Sequence, residues 1–548
     1  MRREAWFAVS LLTGLVMWAC GSDDEGSSPS PSNDGGPTVD ENTGPSDSGT
    51  PDAPGRNPTT AGKCGATERS LSFGSSVNSG VFGGEDEAIS VLASDTQNNL
   101  FVAGWTRESL DGGTKNKSLL LEKRDAMRAV LWRKVAGDDT TGAFAQAFTR
   151  VHGMALQSNG GIVVAGVFAG TLNLGGSPLA NAKPEIDAGG FDAGPDAGDG
   201  GLPVFAPCTF GTNDCNPDVF LARFDPADGA HSWSVRFGAE QSDGARAVAI
   251  APDGTIFAAG SFEGAVDFGA TKLTSAGKAD AFVVQLDANG GVLGAFRLGG
   301  TGDDVITGLA IDPTSGDVIV SGSYTNAITI GATTHTAKHT NIDGFVAKLS
   351  PTGDARWSQN LNSGRGGQIM TAVTDATGGV FVGGSVDGTF EFAGTAGKSV
   401  YLEDAFIAKL DGATGNQSWF KLWGNDGEEA TASIALGPNG SILAGGATDS
   451  PRGVDFGGGI IGGGLVPGPF LVEFASNGDH VCSRSYPGAR GPESDATVQL
   501  VGAGANAVVA ATPTTFTAGG SFAATLDLGK GPMTSKGGYD LWLADFAR

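Results

Sequence analysis

The feature that most constrains this chain is a phrase that returns seven times, a β-rich run closed by a glycine. It reads Leu100-Phe101-Val102-Ala103-Gly104, Ile162-Val163-Val164-Ala165-Gly166, Ile256-Phe257-Ala258-Ala259-Gly260 and Val318-Ile319-Val320-Ser321-Gly322, and it recurs at Gly384, Gly446 and Gly520. The steps between these glycines are 62, 94, 62, 62, 62 and 74 residues. Four equal steps define a unit, and the two long steps carry insertions of 32 and 12 residues. A strand-built repeat of this length cannot bury its apolar faces alone and must pack on its neighbours. Length is then no guide to domain number, because such folds grow by adding units. The 90 glycines among 548 residues fit many tight turns and argue against a helical protein.

Each unit holds four strand-like runs. In the third they are Ala247–Ile250, Ile256–Phe262, Asp280–Asp287 and Ala295–Leu298, separated by Pro252-Asp253-Gly254 and Ala288-Asn289-Gly290-Gly291 turns. Four short strands joined by tight turns make one antiparallel propeller blade. The expected fold is therefore all-β, a seven-bladed β-propeller of four-stranded antiparallel blades over residues 67–548. Small residues in the first run (Ala88, Gly153, Ala247, Gly308, Ala372, Ala432) suit a strand crowded at a central axis. Aromatics in the third run (Phe220, Phe282, Phe345, Phe406, Phe470, Trp542) and tryptophans in the fourth (Trp132, Trp233, Trp357, Trp419) are expected to fill the wider space between blades. The last unit ends after its third strand at Asp540–Phe546. Arg69-Ser70-Leu71-Ser72-Phe73-Gly74 is patterned like the fourth strand Trp233–Gly238. The N-terminal strand is expected to complete the C-terminal blade and close the ring, which leaves no mismatched edge.

The runs Asp280-Ala281-Phe282-Val283-Val284-Gln285-Leu286-Asp287 and Asp404-Ala405-Phe406-Ile407-Ala408-Lys409-Leu410-Asp411 resemble the SBBP-type bacterial β-propeller repeat, as does Ala249–Gly254 leading into Gly260-Ser261-Phe262. The resemblance covers about residues 69–548 and implies an extracytoplasmic propeller. It implies no activity, since that family has no single one. Unit one departs from the pattern, because Ser118–Arg124 lacks the aromatic.

The N-terminus reads as an address. Arg2 and Arg3 precede an apolar stretch from Ala5 to Met17, too short to span a bilayer. Met17-Trp18-Ala19-Cys20 resembles the lipobox of bacterial lipoproteins, with Cys20 as the lipidated first residue after removal of 1–19. Gly21, not aspartate, follows, so the resemblance favours the outer membrane, with possible display on the cell surface. Residues 20–66, rich in Gly, Ser, Pro and Asp, lack the apolar content to offset ordering and read as a stalk of roughly 35–40 Å mean span. Four further cysteines in an exported protein suggest two disulfides. Cys208 and Cys215 share one loop and are expected to pair, which leaves Cys64 with Cys482. The acidic, low-complexity insertion 181–217 is expected to be a surface loop stapled at its base.

Chemistry leaves little trace. His335 and His339 have the spacing of a helical zinc pair but fall in the variable loop between second and third strands, where that geometry is lost. The Asp-Gly turns lack the spaced ladder and terminal glutamate of calcium loops. No catalytic set and no cofactor are expected, and calcium is the one ion the acidic turns could attract. Turns from each fourth strand to the next first strand carry Glu85 and Asp86, Asp138 and Asp139, Glu240 and Asp243, Asp303 and Asp304, Glu428 and Glu429, and Glu493 and Asp495, whereas unit five has Arg365. This is the candidate acidic ligand face, although turn formation alone accounts for such residues twice as readily. The formal charge of −26 argues against nucleic acid. The reading is an envelope lipoprotein, monomeric and touching membrane only through its lipid, whose propeller binds a protein or glycan. The alternatives are a hydrolase or lyase using the central channel, and an adhesin with no small ligand.

Overall fold

In the computed structural model, residues 62–63, 67–73, 88–108, 114–137, 148–182, 216–338, 342–463, 468–486, 507–510, 512 and 515–547 are described. Among them the protein is all-β apart from one short 3-10 turn at Pro438–Gly440. The architecture is propeller-like. Antiparallel four-strand meanders follow one another in sequence, for example Ala88–Ser94, Leu100–Glu108, Thr114–Arg124 and Val130–Ala136. Their first strands are Ala88–Ser94, Phe148–Leu156, Asp243–Ile250, Asp304–Ile311, Gly366–Thr374, Glu429–Leu436 and Ala507–Ala510. Each of these packs on the next, and Ala507–Ala510 also packs on Ala88–Ser94.

The last meander is completed from the other end of the sequence. Thr67–Phe73 pairs antiparallel with Pro532–Ala547, with Leu71 opposite Leu543 and Ser72 opposite Trp542. The expected N-terminal fourth strand is therefore present.

The apolar core lies between meanders. Phe101 and Leu121 of unit one pack with Val164 and Phe220 of unit two. Val163 and Leu221 pack with Ala258 and Phe282, and Phe257 with Val320 and Phe345. The series continues with Ile319 against Val382 and Phe406, Phe381 against Ala444 and Phe470, and Leu443 against Phe516 and Trp542. Finally Leu541 and Leu543 pack with Ile89 and Val102 of unit one. Each fully buried Phe or Leu contributes about 1.5–3 kcal/mol.

The recurring glycine has a steric cause. The first strands of the first six units each carry a β-bulge at the same place, skipping Ser90, His152, Arg246, Thr307, Met370 and Ala432. The bulge pushes a first-strand carbonyl against the second strand. A Cβ at Gly322 would fall on Val305 O, and one at Gly384 on Gln368 O.

The sheets are not seven separate four-stranded blades. The loops between second and third strands, expected to be variable, form hairpins with alternating buried side chains: Leu172 and Leu174, Val266 and Phe268, Ile328 and Ile330, Phe390 and Phe392, Val454 and Phe456, Leu526 and Leu528. Two of these reach back to the preceding unit. Ala327–Ile330 pairs with the end of Val292–Gly300, and Phe390–Phe392 pairs with Leu361–Ser363. Ladders thereby fuse into six- and eight-stranded sheets. Gly62–Lys63 adds in parallel to the outer strand His480–Ser485.

Candidate binding face and its buried carboxylates

The turns that lead into first strands and the second-to-third hairpins share one side of the meanders. Asp218 and Asp343 open the third strands Asp218–Phe224 and Asp343–Leu349, Asp280 and Asp404 hold the equivalent positions within Thr271–Leu286 and Thr395–Leu410, and all four are buried. Each accepts a backbone N–H from the hairpin before it: Ala182 to Asp218 at 2.8 Å, Ala276 to Asp280 at 2.8 Å, Lys338 to Asp343 at 3.1 Å and Val400 to Asp404 at 2.9 Å. Arg236 also donates to Asp218 at 2.7 Å, and Arg297 to Asp280. Leu422 stands opposite Phe406 where those arginines stand in their units.

First-strand acids are held in the same way. Asp243 accepts from Ala239 at 2.9 Å and from Glu263 N at 3.2 Å. Asp304 accepts from Gly300 N at 2.8 Å, and Glu429 from Thr448 Oγ1 at 3.0 Å. Burial, opposed in part by these bonds, pushes Asp243, Asp304 and Glu429 up to about 8. Burial likewise raises Asp218 and Asp404 to about 6. Like charges add to the shift, with Asp218 acting on Asp243, Asp280 on Asp304 and Asp404 on Glu429.

The proposed acidic face therefore divides. Asp243, Asp304 and Glu429 are buried turn fasteners. Asp303 is partly exposed and ion-pairs with Lys278 at 3.1 Å. Glu428 is half-buried, with its backbone N–H on Asp449 at 2.7 Å. Asp86, Asp138, Asp139 and Asp495 lie outside the described residues, as do Cys20, Cys64, Cys208 and Cys215 and most of the insertion 181–217. Cys482 is buried in the strand His480–Ser485, opposite Gly62. Arg365 sits 3.9 Å from Asp387.

His335 belongs to the hairpin strand Thr333–Thr336 and shares a 2.8 Å hydrogen bond with Ser358. His339 lies outside the described residues. Among the described residues, no three His, Cys, Asp or Glu side chains are grouped to hold a metal ion.

A second cluster, of opposite sign, escaped sequence reasoning. The bulge places His152 and Arg246 at equivalent positions on neighbouring first strands. The Arg150 guanidinium stands 5.4 Å from the ring centres of both Trp105 and Phe148, and the Trp105 and His152 rings meet edge-on at 6.5 Å. Burial first, then Arg246 and Arg150, hold His152 well below the usual histidine range, and burial lowers Arg246 to about 10. A signal existed, since the first run is otherwise dominated by small residues and here carries Arg150, His152 and Arg246.

No family model matches the protein. A segment of 178 residues is 27% identical to an uncharacterised WD repeat-containing protein, L264, of Acanthamoeba polyphaga mimivirus; it covers 29% of this chain and 13% of that relative. Among solved structures, a protein of unknown function from Dyadobacter fermentans is 9% identical with a TM-score of 0.38, covering 88% of this chain and 98% of that one. YCF48 bound to D1 peptide is 10% identical at TM-score 0.37, covering 90% and 99%. Sqt1 from Chaetomium thermophilum is 11% identical at TM-score 0.37, covering 85% and 98%. At these similarities the fold rests on the strand pairings themselves.

Proposed function

We propose that the protein is an envelope lipoprotein of the SBBP repeat type, anchored at the outer membrane through Cys20, whose seven-bladed ring serves as a monomeric scaffold for a protein partner. The observation that carries this reading is the pairing of Thr67–Phe73 with Pro532–Ala547, joined to the apolar cluster that links Leu541 and Leu543 to Ile89 and Val102. Together they support a ring closed by the strand that directly follows the stalk. A ring tied at its seam presents turns and hairpins as a rigid surface while the stalk sets its distance from the membrane. The register of Gly62–Lys63 beside Cys482–Ser483 supports a Cys64–Cys482 disulfide, which would fix where the stalk leaves the ring. Partly exposed Asp303 and Glu428 make the turn face acidic and suit a basic partner.

The test has two arms. Native protein expressed in a Gram-negative host should fractionate with the outer membrane and carry acyl mass on Cys20, and Cys20→Ser should be released. Immobilised residues 62–548 should retain an envelope protein in a salt-sensitive manner, and retention should fall with Asp303→Lys and Glu428→Lys. Unmodified, soluble native protein would refute the anchor. Retention unchanged by both substitutions would refute the face.

A further inference from the structure

A cleft of about 220 Å³ stands between units one and two. One wall is the end of the fourth strand Val130–Ala136, with Lys134, Ala136 and Gly137. The other is the hairpin of the next unit, with Asn173, Leu174 and Gly175. The repeat shows what fills this place elsewhere. Ala136 stands opposite Leu119, as Phe237 does opposite Val219, Leu298 opposite Ala281, Leu361 opposite Gly344 and Trp423 opposite Ala405. The Phe237 ring centre lies 5.1 Å from that of Phe268 on the next hairpin, and Trp423 lies 5.6 Å from Phe456. At the other two junctions the strand pairs with the hairpin instead, Gly299 with Thr329 and Asn362 with Glu391. Between units one and two neither device operates. Ala136 is small, and among the described residues no backbone hydrogen bond joins Gly137 to Asn173.

The cleft also holds a cation. A Cβ on Gly175 would lie 3.5 Å from Lys134 Nζ. The ammonium sits 5.2 Å over the Phe224 ring and donates to Gly229 O at 3.4 Å, a long bond for a group with three donors. Burial lowers its pKa, opposed in part by Asp228. Among the described residues it has no ion pair.

We propose that this cleft binds the C-terminal residue of a peptide partner, with an aromatic side chain against Ala136 and Leu174 and the terminal carboxylate on the Lys134 ammonium. Three observations select this occupant. The space is one that an aromatic ring fills at two other junctions, and a cavity of about 150 Å³ already holds benzene. The ammonium calls for an anion, and residues 134 and 136 share a face of the strand about 7 Å apart, so one residue of a ligand can meet both. Gly137 and Asn173, unjoined to each other, leave room for a peptide main chain to bond as it does at a sheet edge. The inference rests on the scaffold reading for the partner being a protein, and it uses neither Cys20 nor the acidic turns.

The experiment measures fluorescence polarisation of a labelled Gly-Ser-Gly-Ser-Phe peptide with a free C-terminus against the full-length protein. Saturable binding is expected. Amidation of the C-terminus should weaken it about tenfold, the size of one charge-assisted hydrogen bond, and replacing the final Phe by Ala should abolish it. Lys134→Met should weaken the free-acid peptide about tenfold and leave the amidated one unchanged. Ala136→Phe, which gives unit one the side chain that unit two carries, should abolish binding. No binding to the native protein up to about 1 mM would overturn the proposal, whatever becomes of the variants. Equal losses of both peptides with Lys134→Met would overturn the placing of the carboxylate, and binding retained by folded Ala136→Phe would overturn the site. Phenylpropionate binding as tightly as the peptide would overturn the assignment to a peptide. The Asp303→Lys and Glu428→Lys variants should bind the peptide as the native protein does, so a failure here is distinguishable from a failure of the scaffold reading.

Discussion

At the scale of single residues, the fold is governed by positions where one atom decides. Gly322 lies opposite a bulge whose carbonyl occupies the place of its absent Cβ. Gly322→Ala must push two paired strands apart, and it should cost about 2–3 kcal/mol in denaturant unfolding. An alanine at Gly254, where nothing lies within 4 Å of the added carbon, meets only the strain of its φ of +90° and should cost less. Buried carboxylates give a second prediction. Asp243, Asp304 and Glu429 have folded values raised to about 8 from ordinary values of 3.8, 3.8 and 4.5. Between those limits the folded state holds protons that the unfolded state has lost, so stability is fullest in mild acid and declines as pH rises toward 8. Asp218 and Glu263 act on Asp243, Asp280, Asp303 and Arg297 on Asp304, and Asp404 and Asp449 on Glu429. Asp304→Asn keeps an acceptor for Gly300 N–H but cannot ionise. Thermal melts from about pH 4 to about pH 8 should show a shallower decline for this variant than for the native protein. A native melting point that climbs across that window would contradict the assignment.

At the scale of elements, the fourth-strand aromatics prove to be braces between neighbours. The Trp233 indole donates to Ala288 O of the next unit at 3.0 Å, and its ring covers the positive-φ Gly290. Trp132 does the same over Gly229, Trp357 over Gly415 and Trp419 over Gly478, with donation to Pro226, Gly412 and Ser476. Phe296 covers Gly353 without a hydrogen bond to give. Trp357→Ala should therefore cost about 3–5 kcal/mol, and Trp357→Phe clearly less, because unit three already works that way. Equal losses for the two, measured in urea, would show that ring packing contributes nothing. These braces were legible as a function of large side chains between units, since a repeat exposes the position of each aromatic. The four-strand rhythm and the displaced N-terminal strand were legible for the same reason. The second-to-third hairpins were not. Their signal is two apolar residues flanking one polar one, and the pair changes from Leu to Ile to Phe between units, so it reads as loop variation. The Trp105 corner was hidden by its bulge, which shifts His152 and Arg246 out of the two-residue alternation by which strand faces are read.

At the scale of the whole molecule, the junction between the last unit and the first differs in kind from the five that Trp132, Trp233, Phe296, Trp357 and Trp419 brace. Arg69 occupies the place that Trp233 holds in its unit, and Arg128, at φ +66°, occupies the place of the turn glycine. Between them lies Asp545, which accepts from Arg128 Nε at 3.0 and 3.1 Å and stands 3.7 Å from Arg69. Arg128 also reaches Thr517 at 2.8 Å. An ionic clasp thus replaces an aromatic brace at the one junction made by strands from opposite ends of the sequence. Arg128 and Asp545 are 4% and 8% exposed, so removing one partner strands a buried charge. Asp545→Ala should cost about 3–5 kcal/mol, and amide exchange should accelerate first in Thr67–Phe73, because no short turn joins that strand to the rest of its meander. Adding Arg69→Trp and Arg128→Gly to Asp545→Ala installs the brace used elsewhere and should recover most of the loss, while Arg128→Gly alone should not. If the triple variant is no more stable than Asp545→Ala, the two kinds of junction are not interchangeable, and the seam depends on strand pairing and the Leu541–Ile89 cluster alone.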